Sequence, residues 1–186
     1  MNLKIKTIDG ITIKQFVKIM NIYELYPEGI SQDIKIISTI TNITEEELIK
    51  YDIKSIEIFK KLINDVLVNE PNKNDFKPFK LKGVKYIFDK NLDKMSTGMF
   101  VDLENFSKNL IQNIHIITAI LFRPIKNFKY NPDDVMERAM LFNDHLSISK
   151  AFSAGFFLSI LKKNYLKSTQ VFLESQEKLL TEKKTL

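Results

Sequence analysis

The chain has 186 residues, 44% hydrophobic and 27% charged, with no cysteine and a formal net charge of +5. That length suits one domain with a real hydrophobic core, and the lack of cysteine excludes disulfides and thiolate chemistry and agrees with a reducing cytoplasm. The basic excess is nearly all lysine: only Arg123 and Arg138 are arginine, the residue preferred where phosphate or a base edge must be gripped by a planar fork. Abundant Lys, Ile, Asn and Phe with little Gly, Ala or Arg reads as AT-rich coding and solubility rather than as a nucleic-acid footprint.

In chain order, Leu3 to Ile8 alternates as a short edge strand and Asp9-Gly10 is a turn. Thr12 and Gln15 form a capping box that opens a helix from Ile13 to about Leu25, with Phe16, Val17, Met20 and Tyr23 as the expected inner face. After Pro27 and Gly29, a second helix over Ile30 to Thr41 carries Ile30, Ile34, Ile37 and Ile40 at helical spacing. Thr44 to Glu47 caps a short helix ending near Lys50, and Asp52 caps a further one with Ile56, Phe59, Ile63 and Val66 on one stripe. Residues 1–68 thus read as an N-terminal helical unit with short connections.

Composition changes at Asn69, and 69–95 reads as a β-hairpin insert, with strands over about 77–81 and 84–88 and Lys82-Gly83 at the two-residue turn. Such a hairpin needs another element beneath it, and the N-terminal strand is a candidate to join it. Residues 96–186 read as a helical core. Ser96 caps a helix expected to run to Phe122, whose central stretch Leu103 to Phe122 places Leu103, Phe106, Leu110, Ile114, Ile117 and Leu121 on one face. Ile116, Ala119, Ile120 and Phe122 fill its other faces, so that end must be surrounded by protein. Arg123-Pro124 ends it. Asn131 as cap, Pro132 at the first helical position and Asp133 and Asp134 against the positive end of the dipole start a helix to about Phe142. A break over Asn143 to His145 precedes a last long helix, capped by Ser147 or Ser149 and reaching about Leu180.

The expected architecture is therefore mainly α (α+β): one compact domain packed around a central buried helix, with one small β-hairpin and a long C-terminal helix. In that last helix Leu158, Leu161, Tyr165, Ser168, Phe172, Ser175 and Leu179 keep a three-four rhythm resembling an imperfect heptad. The seam is either a helix lying across its own domain or an arm that pairs with another chain, and Leu161, Tyr165, Phe172 and Leu179 are its candidate contacts.

Chemistry is mostly excluded. The most apolar run, Ile114 to Phe122, carries His115 and Thr118 and falls short of the roughly 20 residues a bilayer span needs, so no membrane span is expected. No basic-then-apolar segment opens the chain, so no secretory signal is expected either. No glycine-rich phosphate cradle and no paired histidines occur. His115 reads as a solvent-edge or hydrogen-bonded histidine, and His145 beside Asp144 lacks a nucleophile or second acid. Asp133, Asp134 and Glu137 are explained by helix capping without a metal, and with Asp144 they lack calcium-loop spacing. No catalytic residue, cofactor or metal is assigned. Lys80, Lys82 and Lys85 on the hairpin are the candidate nucleic-acid contacts, although alternation turns Phe79, Tyr86 and Phe88 away from them.

Four stretches, ISTITNITEEEL (37–48), TGMFVDL (97–103), ILFRPI (120–125) followed by Tyr130, and FSAGFFLSIL (152–161), resemble small proteins of tailed bacteriophages of gut bacteria, the crAss-like phages in particular. The resemblance implies a non-enzymatic virion protein, structural or packaged as cargo near the portal and tail, that contacts other phage structural proteins or further copies of itself. It would reside in the virion and, during assembly, in the cytoplasm of the infected bacterial host. An assembly chaperone absent from the particle and a nucleic-acid-binding accessory protein remain as alternatives.

Overall fold

The computed structural model describes residues 8–68, 76–89, 95–161 and 163. It is mainly helical with a small three-stranded antiparallel sheet. After a 3-10 turn at Ile8–Gly10 come α1 (Ile13–Leu25), α2 (Ile30–Thr41), α3 (Glu45–Leu48) and α4 (Ile53–Val68). Strands β1 (Phe79–Leu81) and β2 (Val84–Phe88) follow, then α5 (Thr97–Phe106), α6 (Leu110–Leu121), β3 (Phe122–Pro124) and α7 (Val135–His145). A final helix, α8, occupies 148–161.

Local chemistry starts these helices where the residues demand. The side chain of Thr12 accepts from the Gln15 backbone N–H while the Gln15 side chain accepts from that of Thr12, which satisfies two otherwise orphaned donors. Thr44, Asp52 and Ser96 cap α3, α4 and α5 in the same way, accepting from Glu47, Ser55 and Met99 at 3.2, 2.9 and 3.2 Å. At the hairpin, Lys82 and Gly83 both take positive φ, 47° and 83°. That pairing is the type I′ turn whose twist matches two antiparallel strands.

One contiguous core runs from Ile11 to Leu161, and α6 lies at its middle. From Ile116 to Leu121 every residue of α6 is buried. The side chain of Thr118, inside this run, donates to the Ile114 carbonyl at 2.6 Å, so its hydroxyl is satisfied within the helix. Helices α1, α5 and α7 all pack against α6.

The structure departs from the sequence reading at several points. The helix expected from Ser96 to Phe122 is broken by a 3-10 turn at Ser107–Asn109. Ser107 bonds back to the Glu104 carbonyl at 2.7 Å and the Asn113 side chain takes the Phe106 carbonyl at 3.0 Å. Short polar side chains that capture backbone groups compete with the helix at such points. Phe122 is already extended and starts β3, which pairs Phe122 with Phe88, Arg123 with Ile87 and Pro124 with Tyr86. The strand that joins the hairpin is thus β3, while residues 3–7 of the proposed N-terminal strand lie outside the described residues. Pro132–Asp134 is a 3-10 turn before α7, and α7 runs through the expected break to His145. The tail of the last helix, with Tyr165, Phe172 and Leu179, also lies outside the described residues.

The sheet joins the helices through aromatic rings. Phe142 of α7 is fully buried, with its ring centroid 4.9 Å from that of Tyr86 and 5.6 Å from that of Phe79. Phe88 meets both Phe122 and Phe157 at 4.9 Å. Phe142→Ala is therefore expected to cost about 3–5 kcal/mol of unfolding free energy, the range for a truncated core phenylalanine, measured as a fall in the urea midpoint at unchanged m-value.

Candidate interaction surfaces

Three groupings of polar side chains merit comparison as sites: the buried arginines, the hairpin lysines and a cleft at the α1–α2 corner. Arg123 on β3 and Arg138 on α7 are only 4% and 8% exposed. The Arg123 guanidinium pairs with Asp89 and lies 4.5 Å from the Phe128 ring centroid, though its Nε has no partner among the described residues. Arg138 Nε donates to the Ala119 carbonyl of α6 at 2.8 Å. The Tyr130 hydroxyl donates to Asp102, tying the loop before α7 to α5. Burial lowers the pKa of both guanidinium groups, with Asp89 opposing it at Arg123 and Asp134 at Arg138. Burial, then the hydrogen bond to Asp102, pushes that of Tyr130 well up. These groups hold elements together. In the sequence the two arginines are too few for a phosphate-gripping footprint and Arg123 marks a helix end, while Arg138 shares a stripe with buried Val135, Ala139 and Phe142. A lone charge inside an apolar stripe was the available signal.

The hairpin presents the expected lysines together. Lys80 and Lys85 are directly opposite one another across the strands, so both project from one face, and Lys82 sits at the turn. All three are exposed, and none has a carboxylate within ion-pair distance among the described residues. The aromatic residues lie on the other face: Phe79 stacks on Tyr86 at 5.3 Å, beneath Phe142. No base can stack on them there. This face offers point charges only.

The third grouping was not foreseen. Tyr23, expected on the inner face of α1, is 42% exposed, because Ile19 and Ile22 take the buried positions. Tyr23, Glu24, Tyr26, Glu28, Asp33 and Lys60 contribute to the lining of a cleft of about 560 Å³ between the α1–α2 corner and α4. Buried Gln32 fixes the corner by donating to the Tyr26 carbonyl at 2.7 Å. Lys60 and Asp33 form an ion pair at 3.1 Å and so neutralise each other. Glu24 and Glu28 have no cation at that range among the described residues. Leu25 (75% exposed) and Ile30 (48%) stand at the same corner. Burial, then the Asp33 charge, raises the Tyr23 pKa, so its hydroxyl stays a neutral donor.

The remaining candidates are not brought together. Asp144 pairs with Lys14 at 3.0 Å, Asp134 accepts from Asn127 at 3.4 Å, and among the described residues no group of three potential ligands is placed to hold a metal. Leu161 is buried in the core. His145 is exposed, whereas His115 is half-buried, with Nδ1 buried and unpartnered. Burial lowers the His115 pKa below 6.5, against a weaker opposing contribution from the Gln112 backbone. The unfolded chain therefore binds this proton more readily, and stability must fall as pH drops below about 6.5. Urea titrations at about pH 7.5 and 5.5 should show that loss in the parent and a smaller one in His115→Gln; equal losses would remove His115 as the cause.

Comparisons with protein-family models, with curated proteins and with solved structures find no match to this chain.

Proposed function

We propose that this chain is a non-enzymatic virion protein of a tailed bacteriophage, structural or carried as cargo, that works through protein–protein contacts. The observation that carries the reading is the α1–α2 corner, where two tyrosines, the exposed Leu25 and three carboxylates against one lysine line a cleft. Tyrosine with adjacent apolar area and rim charge is the composition of a protein interface. The resemblance of residues 37–48, 97–103, 120–125 and 152–161 to small crAss-like phage proteins supports the setting.

The nucleic-acid alternative rests on Lys80, Lys82 and Lys85. With the aromatic face turned into the core, that alternative reduces to phosphate contacts without base stacking, which are steeply salt-dependent and sequence-blind. An assembly chaperone would use the same corner, but would leave before the particle is complete.

Quantitative mass spectrometry of purified particles beside infected-cell lysate separates these readings. The virion reading expects the chain in particles at a fixed copy number relative to the capsid protein. Presence in lysate alone would reject it in favour of a chaperone or accessory role.

A further inference from the structure

The two exposed charged surfaces are opposite in sign and lie on different parts of the fold. The corner cleft is built by α1, α2 and α4, whereas the hairpin pairs with β3 and packs its aromatic face on α7. Neither covers the other within one molecule. We infer that the lysine-tipped hairpin of one copy seats in the tyrosine- and glutamate-lined corner of a second copy, so that the chain associates head to tail with itself.

Charge complementarity selects this occupant. The cleft lining carries Glu24, Glu28 and Asp33 against Lys60 alone, so it stays net negative although Lys60 feels both Asp33 and Glu28, while Lys80, Lys82 and Lys85 at the hairpin have no ion-pair partner among the described residues. Lys80 and Lys85 face each other across the ladder, and like charges directly opposite are destabilising. An acidic partner would relieve that repulsion. Shape agrees as well. A two-residue turn is the narrowest projection a sheet can offer, with strands roughly 4.8 Å apart, and its conformation is already set by the positive φ angles of Lys82 and Gly83. A preorganised tip loses little freedom on docking. Exposed Val84, next to the turn, supplies apolar area to meet the ring of Tyr23, since the Lys35 ammonium already lies over that of Tyr26 at 4.8 Å.

The contact is heterologous, joining one surface to a different one. Such interfaces close into rings or extend as open chains, depending on the rotation between copies. A hairpin tip in a cleft buries less area than the roughly 1,200 Å² of a standard interface, so the association is weak, salt-sensitive and suited to avidity in a multi-copy array. The inference adds a partner to the interaction reading. It concerns the purified chain alone, so its failure would leave the particle measurement untouched.

Sedimentation of the full chain at about 50 and about 500 mM salt, where the screening length falls to a few ångströms, tests the inference. Concentration-dependent association is expected at low salt and its loss at high salt. Glu28→Lys and Lys82→Glu should each weaken association about tenfold or more, the effect of removing one close charge pair, with unchanged thermal unfolding as the control for fold. Mixed in equal amounts, the two variants should associate again, since the reversed charges then find complementary partners. Lys82→Asn keeps the type I′ turn favourable and should still weaken association. A parent that stays monomeric at low salt, variants that associate as the parent does, or a mixture that fails to recover would overturn the inference. So would binding of a DNA oligonucleotide that Lys82→Glu abolishes while neither variant alters self-association.

Discussion

The structure depends on the complete burial of the second half of α6. Ile116 to Leu121 have no solvent-facing side, so the fold must supply neighbours all around this turn and a half of helix. On such a segment polar groups are tolerated only where a partner is at hand. Thr118 meets this condition by bonding its own helix. The Ala119 carbonyl, in the last turn of α6 where carbonyls lack an intrahelical donor, accepts from Arg138 of α7. This bond links the two helices, and an uncompensated loss of either partner would leave a buried polar group without its hydrogen bond.

The same constraint explains where the two arginines fall. A lysine ammonium is a compact, strongly hydrated charge and is costly to bury, whereas guanidinium is more weakly hydrated and distributes its donors over a rigid plane. In a chain that otherwise uses lysine for its positive charge, both arginines occupy interior positions, one against Asp89 and the Phe128 ring and the other against the Ala119 carbonyl. The lysines stay outside. Those on the hairpin have no carboxylate partner among the described residues, and the surface electrostatics there follow from this division.

Much of the fold was legible because its signals are local. Thr12, Thr44, Asp52 and Ser96 each bond a backbone group three residues ahead, and Lys82-Gly83 needs only its own dihedral angles. The buried positions Ile114, Ile117 and Leu121 of α6 were legible from periodicity, whereas Leu110 of the same row is exposed at the helix start. What escaped depends on distant partners. Three residues, Phe122 to Pro124, are too short to alternate, and they become a strand only because β2 lies alongside. The interruption at Ser107–Asn109 arises from side chains of ordinary polarity whose bonds to Glu104 and Phe106 decide the matter. Of the candidate surfaces, the lysine face followed from strand alternation alone. The corner cleft did not, because it unites residues 23–33 with Lys60 and Asn64, and because Tyr23 sits at a helical position compatible with burial.

The arrangement is thus a helical core carrying two small, oppositely charged surfaces, with the α6 segment as the element against which α1, α5, α7 and β3 pack. Native-state hydrogen exchange tests that central claim most directly. Amides from Ile116 to Leu121 should exchange only through global unfolding, and more slowly than those of α2 and the hairpin, whose free energies of opening lie below the global value. Exchange of the α6 amides through a lower-energy local opening, with the slowest amides elsewhere, would contradict the account.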